Sequence, residues 1–144
     1  MKNGMDIRNF QSFAISKFNE NMAKMLETKY GFADFRAPPS AHYNCHGLVF
    51  AARRTCIEKV EQIPEILKHD GYHEIEVGRV KPGDVALYYQ ASGDIEHSGI
   101  VVEKPDDLGI PLIWSKWGCS HEVVHKANYG PYSPTDIRYY RMLT

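Results

Sequence analysis

The sequence predicts an α+β domain, and three observations predict it. A helical stripe lies near the amino terminus, a loop turns into an apolar helix at a cysteine, and after Gly71 short alternating segments follow one another between turns. The chain has 144 residues, of which 43% are hydrophobic and 24% charged, a composition that suits one domain with its own core. We read residues 1–144 as a single domain in which residues 1–29 form an amino-terminal helical extension.

Within residues 7–26, Ile7, Phe10, Phe13, Ala14, Phe18, Met22, Met25 and Leu26 recur at helical spacing, which predicts an amphipathic helix with that stripe in the core. Gly31, Pro38, Pro39 and Ser40 then interrupt any regular pattern, so residues 30–44 read as a loop. A second helix is predicted from Cys45 to about Glu58, carrying Leu48, Ala52 and Cys56 on its apolar face. A short third helix spans residues 64–69, opened by Pro64 and stopped by Gly71. Strands are predicted over residues 84–90, 96–103, 112–117, 122–126 and 136–142, with turns at 92–94 and 105–109.

A net charge of −1, with Arg53 and Arg54 as the only adjacent basic pair, gives no reason to expect nucleic acid as a partner. No apolar run has bilayer length, and the first residues lack the apolar segment of a signal peptide. No membrane partner is expected, and a cytoplasmic location is; export by a signal-independent route would leave no trace here. The three cysteines form an odd, sparse set, so reduced thiols are expected rather than a disulfide framework. No cofactor and no metal are expected. Cys119, His121 and His125 cluster, but on a strand the two histidines would sit about 13 Å apart at roughly 3.3 Å per residue, too far to share one ion.

Cys45 is the first candidate for chemistry. It lies where a loop becomes an apolar helix, and the unpaired backbone N–H groups of such a start favour the thiolate, which is the reactive form. Cys56 reads as an inert core thiol, and no role is expected for Cys119. A nucleophilic thiol needs a base, and His97 is the best candidate, on a strand where His97, Gly99 and Val101 share one face. Gly99 beside it would leave room for a helix end or a substrate backbone.

Three blocks, in order, resemble the NlpC-type cysteine peptidases of the papain-like superfamily, a group that also contains the CHAP amidases. Tyr43-Asn44-Cys45-His46-Gly47-Leu48-Val49 is similar to the nucleophile motif, residues 80–88 to the Pro-Gly-Asp segment that enters the first strand, and His97-Ser98-Gly99-Ile100-Val101 to the base motif. The blocks span residues 43–102, with weaker similarity to residue 117. The resemblance implies a papain-like fold, with amino-terminal helices packed on a small antiparallel sheet and the nucleophile at a helix N-terminus. It implies Cys45 as nucleophile, His97 as base and a peptide or peptidoglycan-like substrate.

The family's third polar residue, which orients the histidine, has no obvious counterpart. Ser115 stands at about the right place, and His121, His125 or a backbone carbonyl are the alternatives. Asn44 and His46 replace the commoner Asp and Ser, a departure that bears on specificity for peptidoglycan stem peptides rather than on the chemistry. Hydrolysis, acyl transfer and deamidation all pass through the same acyl-enzyme. A rival reading is a protein-binding module that keeps the fold and presents Tyr129, Tyr132, Tyr139 and Tyr140 to a partner.

Overall fold

Seven strands form one antiparallel sheet, and this sheet is the frame for everything else. The computed structural model describes residues 9–10, 15–51, 53, 56–57 and 60–142. Its elements are β1 (Asn9–Phe10), α1 (Lys17–Lys29), β2 (Asp34–Ala37), α2 (Cys45–Phe50), β3 (Cys56–Ile57), α3 (Ile63–His69), β4 (Tyr72–Ile75), β5 (Val85–Tyr89), β6 (Ile95–Glu103), β7 (Leu112–Lys116), β8 (Glu122–Lys126) and β9 (Ile137–Met142). The order across the sheet is β2-β8-β7-β6-β5-β9-β4, and β1 pairs separately with β3. The α+β class is found, but the sheet is larger and the helices shorter than expected. The five predicted strands are present; β2 and β4, which form the two edges, escaped prediction because edge strands of four residues carry little alternation.

Side chains alternate across the sheet, and each face has its own core. Val85, Leu87 and Ile95 cluster with Ile57, Ile63, Ile66 and Leu67, and Val49 and Phe50 of α2 pack against them. The opposite face carries Ala86, Tyr88, Val101, Ile113 and Tyr139 and continues into Leu26, Trp117 and Val123. Thus α2 and α3 cover one face and α1 the other. Burying a side chain of this size contributes about 1.5–3 kcal/mol, and Ile63, Leu87, Ile113 and Val123 are all 0% exposed.

Two helices differ from the sequence expectation. Helix α1 starts at Lys17 because the Ser16 hydroxyl accepts the Asn19 N–H at 3.1 Å and caps the first turn. Its buried residues are Ala23 and Leu26, whereas Phe18 and Met25 are 71% and 50% exposed, so the aromatic and Met stripe does not form the core. Phe10 belongs to β1, and Ile7, Phe13 and Ala14 lie outside the described residues.

Helix α2 ends at Phe50, far short of Glu58. The N–H groups of Ala51 and Arg53 both close onto the Gly47 carbonyl, at 3.0 and 3.1 Å, and Arg53 takes a left-handed backbone with φ 66°. That conformation costs a non-glycine residue about 1–2 kcal/mol. Ionic contacts offset it: the Arg53 guanidinium donates to Glu122 at 2.6 and 3.2 Å and lies 4.6 Å from the Trp114 ring centre. Cys56 accordingly sits in β3, not on the apolar face of a helix.

The Pro82-Gly83-Asp84 block is a turn locked by ionic contacts. Asp84 accepts the Lys81 N–H at 2.8 Å and both arms of Arg141 at 2.8 Å, which ties the entry to β5 onto β9. Gly99, expected to leave room for a helix or substrate, is covered by its neighbour strand instead. A Cβ at that position would lie 2.4 Å from Ile113 Cγ2 and 3.2 Å from the Trp114 carbonyl oxygen. Gly99→Ala is therefore expected to lower stability by about 1–3 kcal/mol, read as a lower urea midpoint. An unchanged midpoint would mean that β6 and β7 part at no cost.

Candidate active site

Cys45 is the first residue of α2 and only 7% exposed. Asn44 puts it there. The Asn44 side-chain oxygen accepts the N–H groups of Gly47 at 2.8 Å and Ile57 at 3.1 Å, while its amide nitrogen donates to the Ile57 carbonyl at 2.9 Å. One side chain therefore caps the helix and pins β3. An aspartate would lose the donated bond, which gives Asn44 a structural reason at a position where the resemblance expects Asp.

The segment before Cys45 is held just as firmly. Glu122, buried, accepts from the Tyr43 hydroxyl, from Arg53 and from the Trp114 indole N–H at 3.0 Å. Burial would raise its pKa, but the bonds from Arg53 and Tyr43 outweigh that and keep the carboxylate ionised at low pH. Lys116, 0% exposed, donates to the carbonyls of Ser40 at 2.5 Å and Gly118 at 2.6 Å.

Two imidazoles act on the buried thiol. Burial alone would push the Cys45 pKa up, but His46 first and His97 second oppose it by charge, and the thiol lies well below its ordinary range. Reciprocally, burial would lower the His46 pKa, yet the charge on Cys45 raises it. The His46 Nδ1 is 2.7 Å from the Ser98 hydroxyl oxygen on β6. His97 is 0% exposed and comes from the same strand, one residue earlier, so it points to the other side of the sheet from Ser98. Its ring stacks on Tyr132, with centroids 3.7 Å apart and planes 8° from parallel, and meets the edge of Tyr88 at 5.1 Å.

The contact expected of Ser115 is not made. Its hydroxyl lies 2.7 Å from His125 Nε2, and neither ring nitrogen of His97 has a hydrogen-bond partner in the described residues. His125 Nδ1 donates to the Lys126 carbonyl at 2.8 Å, so its Nε2 is left as the acceptor for Ser115. Stacking on Tyr132, rather than a third polar residue, fixes the His97 ring.

The remaining candidates go elsewhere. His121 spans α1 and β2, 2.7 Å from Glu27 and 2.9 Å from the Ala37 carbonyl. Among the described residues no three His, Cys, Asp or Glu side chains are arranged to hold a metal, and no helix is long and apolar enough to cross a membrane. The tyrosines of the rival reading pack inward or pair: Tyr139 is buried, Tyr140 shares a 2.8 Å bond with Tyr89, and Tyr129 meets Tyr30 and Phe32 edge-on. Tyr132 also borders a cleft of about 290 Å³ whose other walls include Phe18, Met22, Leu26, Trp117 and Cys119. It both lines that cleft and stacks on His97.

Sequence reasoning gave neither His46 nor Tyr132 a place beside the thiol: His46 entered as a departure bearing on specificity, and Tyr132 as a partner-facing tyrosine of the rival reading. The signal for His46 was its place beside the thiol in the first helical turn; Tyr132 carried none, because only the tertiary fold brings residues 97 and 132 together.

Burial holds the His125 pKa at about 4, below the ~6.5 of an unfolded histidine. Between those values the unfolded chain binds the proton and the folded one does not, so stability falls as pH drops from about 6.5 to 4, by up to about 3 kcal/mol. Urea unfolding at several pH values should show this slope, and His125→Gln should flatten it; an equally steep slope in the variant would show that the slope does not come from His125. No protein-family model matches the chain, and no curated protein or solved structure matches it either.

Proposed function

We propose that this chain is a thiol hydrolase that cleaves an amide or peptide bond through an acyl-enzyme on Cys45. One observation carries the reading. A cysteine buried at the start of a helix is held well below its ordinary pKa by two histidines, the surroundings that make a thiol nucleophilic. A structural core thiol has no need of them. The three motifs shared with NlpC-type cysteine peptidases support the same assignment and the papain-like fold that goes with it.

The Cys45 sulfur attacks the carbonyl carbon, and a thioester forms as the carbon–nitrogen bond breaks and the leaving nitrogen takes up a proton. Water then cleaves the thioester, releasing the acid and restoring the thiol. The two histidines beside the thiol shuttle the protons, His97 being the base that the resemblance implies. The N–H groups of Cys45 and His46, which have no carbonyl of their own helix to bond, hold the oxyanion, that of Gly47 being taken by Asn44. Nothing in this sequence of steps needs a cofactor. Peptides are the natural substrate, cell-wall peptides first by resemblance, with an apolar group seated in the cleft that Tyr132 lines.

The test is to incubate the protein with purified peptidoglycan fragments and with a cell lysate, and to follow products by mass spectrometry. Cys45→Ala should lose turnover by at least ~10³-fold while keeping the cooperative unfolding of the parent. A variant that still forms the product would remove Cys45 from the chemistry.

A further inference from the structure

Cys45 stands between two histidines held in different ways. His46, 3% exposed, has its Nδ1 fixed by the Ser98 hydroxyl at 2.7 Å, so it keeps an acceptor for an N–H on that side. His97 has no such acceptor, and its ring is held by the Tyr132 face. A protonated imidazole carries two N–H donors, and burying one of them unpaired is unfavourable. The stacked Tyr132 ring attracts a cation, but it supplies no acceptor in the plane of the imidazole.

We infer that His46, not His97, carries the proton of the Cys45 thiol in the resting site, with Ser98 as its positioning residue. The inference rests on the thiol-hydrolase reading and divides the labour within it. The Sγ–H bond breaks, the electron pair stays on sulfur, and the proton joins the His46 nitrogen that Ser98 does not engage. That proton passes to the leaving nitrogen as its bond to carbon breaks, and His97 serves the water that opens the thioester.

The electrostatic pairing agrees: His46 acts on the thiol more strongly than His97, and the charge on Cys45 raises the His46 pKa. Other titratable groups near the site are Glu96 on β6, Cys119 on the loop after β7, Tyr132 before β9, Tyr88 on β5 and His125 on β8. Tyr43, which precedes the pair, is committed to Glu122, itself bonded to Arg53. Burial pushes the Tyr132 and Tyr88 hydroxyls up and keeps both neutral, and burial holds His125 neutral down to about pH 4. None of these three supplies a competing charge near neutrality.

The test needs no substrate. The rate of iodoacetamide alkylation at Cys45, resolved from Cys56 and Cys119 by peptide mass spectrometry, is measured against pH. In the parent protein the midpoint should lie well below the ~8.5 of an ordinary cysteine. His46→Asn should raise it by a pH unit or more, an approximately tenfold loss of rate at acidic pH. Ser98→Ala should shift it the same way by less, and His97→Asn should raise it clearly less than His46→Asn does while abolishing turnover. A parental midpoint in His46→Asn, or an equal shift in His97→Asn, overturns the inference. If His46→Asn fails to fold, Ser98→Ala decides: a raised midpoint supports the assignment and an unmoved one overturns it. Failure of the hydrolase reading looks different, namely a low midpoint in the parent with no turnover of any peptide.

Discussion

A charge on sulfur cannot be kept in a protein interior without a cation beside it, because desolvation of a lone ion exceeds what packing returns. Cys45 is buried, so its chemistry depends on the imidazoles that meet it, and much of the surrounding structure serves to bring them there. Asn44 starts α2 at the residue before the thiol and ties that start to β3. Ser98 fixes one imidazole from β6, and Tyr132 fixes the other from the loop before β9.

The rigidity of this arrangement comes from polar groups that are buried and paired. Glu122 gathers Tyr43, Arg53 and Trp114, joining the segment before Cys45, the end of α2 and the sheet at one carboxylate. Lys116 clamps the loop at Ser40 to the turn at Gly118. Each of these costs desolvation and fixes a geometry in return, and together they hold a six-residue helix whose own propensity would not sustain it.

Much of the fold was legible in the sequence, where periodicity carries it. The five central strands alternate over enough residues to be read, and α3 is bracketed by Pro64 and Gly71. The length of α2 was not, since Leu48, Ala52 and Cys56 keep helical spacing across a break that no Gly or Pro marks; the break depends on Arg53 finding Glu122, residues 69 apart. The stripe on α1 was misread because Phe18 and Met25 face outward, and of its members on the helix Leu26 is the one that packs against Trp117 and Val123. At the site, Cys45 and His97 could be named from local context. The commitment of Ser115 to His125 and the stacking of His97 on Tyr132 could not, because both depend on strand register and on a loop that closes only in three dimensions.

Underlying all of this is the claim that Cys45 is a thiolate in the folded protein at neutral pH. The most direct measurement is the ultraviolet absorbance of the thiolate, titrated with pH in the parent and in Cys45→Ser, the difference belonging to this one sulfur. The account predicts a step well on the acid side of the ~8.5 of an ordinary cysteine. A step at or above that value would mean that the histidines leave the thiol protonated, and the site would lose its nucleophile.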